Sequence, residues 1–95
     1  MVVGICKLAI HLHECHSLKE KRGIVRRVKE RAFNQFKIPI SEVGSLDMWQ
    51  RAELGFAVVS NDRKIVEGLI QRIADFVEDL GLVEIIDQYQ ETVNV

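Results

Sequence analysis

Val2-Val3-Gly4-Ile5-Cys6-Lys7-Leu8-Ala9-Ile10-His11-Leu12-His13 alternates along its whole length, and a few residues later the chain changes period. Val2, Cys6, Leu8, Ile10 and Leu12 share one face with Gly4. Val3, Ile5, Lys7, Ala9, His11 and His13 share the other. Period two over this length predicts a long strand. Ser17 follows as an N-cap, and Glu20 three residues on completes a capping box. Beyond it Leu18, Val25, Val28, Ala32 and Phe36 recur at helical spacing, widened by Ile24 and Phe33. Pro39 stops that helix near Phe36–Lys37.

The same alphabet repeats downstream. Ile38–Val43 reads as a short strand, placed at a sheet edge by Pro39. Gly44 to Asp47 reads as a turn or bulge region, and Trp49–Ser60 as a third strand with Leu54, Phe56 and Val58 on one face. Asn61 and Asp62 open a second helix. Its stripe is Ile65, Leu69, Ile73, Phe76 and Leu80, widened by Val66, Ile70 and Val77. Gly81 stands where a left-handed C′ residue is wanted. Val83–Tyr89 is the last strand, and the residues after it are expected to fray. Strand, helix, strand, strand, helix, strand with right-handed crossovers closes as an α+β, ferredoxin-like split βαβ sandwich. Both helices then cover one face of a four-stranded antiparallel sheet, and residues 1–95 form a single domain.

Composition narrows the partners. No apolar run reaches the length of a membrane span, and the opening residues lack the layout of an export signal. Two cysteines, Cys6 and Cys15, make no disulfide framework and fit a reducing cytoplasm. The net charge of −1 conceals two poles. Lys19–Lys37 holds eight bases against two acids, a net +6, and Asp62–Val95 holds three bases against eight acids, a net −5.

Two segments carry more charge and aromatic surface than packing requires. They are His16-Ser17-Leu18-Lys19-Glu20-Lys21-Arg22 and Asp47-Met48-Trp49-Gln50-Arg51-Ala52-Glu53-Leu54-Gly55. In the expected fold the first and third strands are central and antiparallel, so both segments come to one end of the sheet. His11, His13, His16, Trp49, Arg51 and Glu53 are therefore the candidate partner- or ligand-binding residues. On the first helix Lys19, Arg22, Arg26 and Lys29 form one basic stripe suited to phosphates, with Arg27 and Arg31 a second. Against that stands a plain solvated face neutralised by the acidic second helix. The sheet lacks central outward aromatics, which argues against base-stacking readout of single strands. Val3, Ile5, Ala9, Ala57 and Val59 would form an outward apolar patch, a candidate contact with a second copy.

These segments also carry a resemblance. His16 to Arg22, Trp49 to Gly55 and Asn61-Asp62 look like the motifs of the YlxP-like bacterial family, small proteins built on a domain with no assigned function. The resemblance spans nearly the whole chain. It implies the ferredoxin-like fold and a gene neighbourhood of transcription–translation and ribosome-maturation factors. It brings no activity, cofactor or catalytic residue.

Catalysis and metals are poorly spelled. Acylphosphatases share the fold and size but need a Gly-rich phosphate loop with an arginine after strand one, and Glu14-Cys15-His16-Ser17 offers neither. The cluster His11, His13, Cys15 and His16 has imidazole and thiolate donors but one cysteine and no CxxC, so no metal set is assigned. The expectation is a non-catalytic cytoplasmic protein without cofactor that meets the ribosome, a precursor rRNA or a nearby factor. The alternative is a homodimeric module with a ligand or metal site at the His11–Trp49 end.

Overall fold

The computed structural model describes all 95 residues. Six elements follow in the expected order: β1 (Val2–His11), α1 (Leu18–Phe36), β2 (Ser41–Gly44), β3 (Arg51–Ser60), α2 (Arg63–Asp79) and β4 (Glu84–Asn94). The sheet runs β2-β3-β1-β4, every pair antiparallel, which is the ferredoxin-like topology. No helix is long and apolar enough to cross a membrane.

The alternation of β1 has the expected outcome. Val2, Cys6, Leu8, Ile10 and Leu12 enter one core with Leu54, Phe56 and Val58 of β3. Gly4 belongs to this inward face because α2 presses on it: a Cβ there would meet Ile70 Cδ1 at 2.8 Å and collide with Val66. Each fully buried aliphatic side chain contributes about 1.5–3 kcal/mol.

Several boundaries differ from those read in the sequence. β1 ends at His11 and β3 begins at Arg51, because the chain turns at both ends of that pair. One further ladder bond, Leu12 N–H to the Gln50 carbonyl at 2.9 Å, ties the turns together. β2 begins at Ser41 rather than Ile38. Lys37 leaves α1 in the left-handed region at φ 58°, and Pro39 has no N–H to give a ladder. The tail after Tyr89 does not fray. β4 continues to Asn94, pairing Val93 with Val3 and Asn94 with Val2, and Val95 N–H donates to the Met1 carbonyl at 2.8 Å.

Both helix stripes are rotated slightly from expectation. α2 buries Val66, Ile70, Ile73, Ala74 and Val77 and leaves Ile65 exposed. In α1 the buried set is Lys21, Val25, Val28 and Ala32, while Phe33 lies 46% exposed beneath the Lys37 ammonium, 5.7 Å from its ring centre. The sheet covers only part of each stripe, so Ile65 and Phe33 at its margin face water, while Val66, Ile70 and Val77, which widen the α2 stripe, are buried.

Candidate functional site

The two charged segments do meet, and most of their polar groups are consumed in holding the junction. Ser17 Oγ accepts from Glu20 N–H at 3.1 Å, and Glu20 Oε2 accepts in return from His16 N–H at 3.0 Å. The capping box thus lands one residue before the cap. Gln50 Nε2 donates to the Cys15 carbonyl at 3.2 Å, joining the entry of α1 to the entry of β3. Lys21 is the least expected member, at 1% exposure. Its Nζ lies 2.8 Å from Glu42 Oε2 and donates to the Ser45 carbonyl at 2.7 Å. Buried Glu42 Oε2 has no other partner. Ser45 in turn adopts φ 58° and donates its hydroxyl to Glu53 Oε2 at 3.2 Å. A Cβ on Gly44 would displace that same carboxylate. A buried cation latches α1, β2 and β3 together.

The six candidate binding residues fall into three groups. His16 and Trp49 line one shallow hollow with Asp47, Met48 and Gln50. Trp49 is 53% exposed, and Leu46 and Met48 beside it are also exposed. Arg51 and Glu53 line a second hollow on the outer sheet face with Lys7, Ala9, Asp87 and Tyr89. There Glu53 also takes Lys7 at 3.7 Å. His11 and His13 form the third group with Glu84: His11 and Arg51 are cross-strand partners, yet the His11 ring turns to His13, centroids 4.3 Å apart and edge to face. The sequence pattern does not single out Glu84. Only the register of β4, which sets it opposite His11, brings it in.

On α1, Lys19, Arg22, Arg26, Arg27 and Arg31 are exposed and Lys29 is half-buried. None makes an ion pair; the single pair on this helix belongs to Lys21. No acid of α2 forms an ion pair with this face. Lys19, Glu20, Ile24, Arg26 and Arg27 line a shallow depression with Gly23, whose Cα has open space above it.

The outer sheet face is apolar at one end and charged at the other. Val3, Ile5, Ala57 and Val59 share the apolar end with Val93, and Ile5 and Val59 are 41% and 61% exposed. Ala9 departs from the expected patch. It points outward but is buried, beside Arg51, Glu53, Asp87 and Tyr89 at the charged end. Tyr89 donates its hydroxyl to Glu91 Oε2 at 3.0 Å, which raises its pKa.

Neither cysteine sits in a nucleophilic setting. Burial pushes the Cys6 thiol up to about 11, so it stays protonated at neutral pH. Cys15 is fully buried, and its Sγ–H points to the Ser17 carbonyl at 3.5 Å.

Comparison with known proteins agrees with this architecture. The chain is 35% identical to "Uncharacterized protein YlxP" of Bacillus subtilis (strain 168) over 83 residues, 87% of this chain and 90% of that protein. Among solved structures, "Structural Genomics, protein YJCS" superposes with a TM-score of 0.54 at 10% identity, covering 97% of this chain and 99% of that one. At that identity the likeness speaks for the fold alone. The family described as "Protein of unknown function (DUF503)" matches residues 3–90, and the chain belongs to that family.

Proposed function

We propose that this chain is a non-catalytic cytoplasmic binding protein that docks on structured RNA, of the ribosome or of a precursor rRNA, through α1 and the Trp49 end. The observation that carries the reading is the exposed basic face of α1 with no intramolecular ion pair. A solvated face kept only for solubility would be expected to share its charge with the acidic second helix. Uncompensated bases at helical spacing match phosphates spaced along a backbone. Trp49, next to His16 and the start of that face, adds an aromatic anchor of the kind that dominates interfaces.

The double variant Arg22→Glu/Arg26→Glu tests it. Both side chains are exposed and unpaired, so melting temperature should hold within about 0.5 kcal/mol of stability. Co-migration with ribosomal particles in sucrose gradients should be lost. Binding of the unaltered protein should weaken with salt, with a slope that falls by about one unit for each phosphate contact removed. A variant that melts early yet still migrates with subunits defeats the reading.

A second reading has its own observation, the apolar end of the outer sheet face. Ile5, Val59 and Val93 are too exposed for an uncovered patch on adjacent strands, and a second copy of this chain would cover them. Sedimentation should then show a dimer at high micromolar concentration, and Ile5→Lys should return it to a monomer, because a buried unpaired ammonium is costly. A monomer throughout removes this reading.

A further inference from the structure

The third group at the junction has a geometry that neither proposal uses. His11 closes β1, Glu84 opens β4, and the register sets them directly opposite. His13, two residues past His11, folds back so that its Nε2 lies 3.5 Å from His11 Nδ1 and 3.1 Å from Glu84 Oε1. All three ligand atoms lie within 4.8 Å of one another. In a tetrahedral zinc site with bonds of about 2.0–2.1 Å, neighbouring ligand atoms stand about 3.3 Å apart. The two measured edges bracket that value.

We propose that His11 Nδ1, His13 Nε2 and Glu84 Oε1 form a binding site for a divalent transition-metal ion, zinc by preference. Two imidazoles and one carboxylate are a borderline donor set that suits zinc over calcium or magnesium. The cysteines take no part. Cys15, adjacent in sequence, is buried with its Sγ directed to the Ser17 carbonyl, and Cys6 lies in the core. His16 lines the separate hollow with Trp49. A three-ligand set leaves a coordination position open toward solvent, since His13 and Glu84 are exposed. No protein group holds the other ring nitrogen of either histidine. Affinity should therefore be about 10–100-fold below that of a zinc site with outer-shell support.

The test uses the full chain without a polyhistidine tag, and zinc and cobalt(II) salts alone as probes. Zinc titration should show one saturable site per chain. Cobalt(II) should give visible absorption of a low-coordinate nitrogen–oxygen site, without a thiolate charge-transfer band. His13→Ala and Glu84→Gln should each weaken zinc binding by about tenfold or more, while His16→Ala leaves it unchanged. Zinc should raise the melting temperature of the unaltered protein and not that of His13→Ala, since only a ligand held by the folded state stabilises it. The two ligand variants should melt alike in the absence of metal, because both side chains are exposed. Unsaturable binding, undiminished binding in His13→Ala, or a thiolate band with cobalt would each overturn the site.

Discussion

Lys21 is the residue whose role inverts its appearance. In a run of bases it reads as one more surface charge, but it is buried against Glu42 and the Ser45 carbonyl. Removing one member of a buried pair strands the other, at a cost of about 3–5 kcal/mol. Lys21→Met should therefore lower stability by roughly that amount in denaturant titration, with Glu42 left without its cation. Replacing both, as Lys21→Met/Glu42→Met, should recover most of the loss, since two apolar side chains need no partner. A double variant as unstable as the single one would show that the Ser45 contact, not the ion pair, carries the latch. A signal for this was present in the spacing. Leu18, Lys21, Val25, Val28 and Ala32 step by three and four, so Lys21 falls in the middle of the apolar stripe.

Among the elements, the strands and helices were legible because period two and period 3.6 separate cleanly in this chain. The order, the edge position of β2, the two N-caps and the left-handed Gly81 at φ 70° all followed from local chemistry. What did not follow depends on neighbours in space. Ile65 and Phe33 are exposed because the sheet and the neighbouring helix cover less than a full stripe. β4 runs on to Asn94 because β1 offers it partners as far as Val2, and nothing polar in residues 90–94 announces that support. The candidate site was legible as a place but not as a set. The junction of the two segments follows from the order of the elements, but its division into three groups and the entry of Glu84 depend on register. Gly23 gives this scale its own prediction. It sits inside α1 with nothing within 4 Å of an added Cβ, so Gly23→Ala should stabilise the protein by about 0.5–1 kcal/mol in thermal melts. Failure to stabilise would mean that a neighbour or the unfolded chain favours the glycine.

For the whole molecule, alkaline pH probes the core. Cys6 lies between β1 and the helices with its thiol pushed from an ordinary value of 9.0 up to about 11 by burial. The folded state thus holds a proton that the unfolded state releases first. Its contribution is complete below pH 9 and is lost as pH rises from about 9 to about 11, by up to about 1.4 kcal/mol per unit. Cys6→Ala removes this group, so its stability should fall less steeply across the same window. Tyr89, whose pKa is also raised, adds a decline common to both proteins, and the difference of slopes isolates the thiol. Parallel slopes would mean that the unfolded chain shields Cys6 as well as the fold does.

The pairing of residues 1 and 95 has a consequence for topology. Met1 N donates to the Val95 carbonyl at 2.6 Å, so these two residues lie side by side. A short flexible linker could join them, and a break could be opened in the turn at Leu46–Met48 at the far end of the sheet, about 30 Å away along β1. Such a circular permutant keeps every strand and both helices intact while freeing only the segment that carries Trp49. It would separate what that segment does for the fold from what it does for a partner, without altering a single side chain.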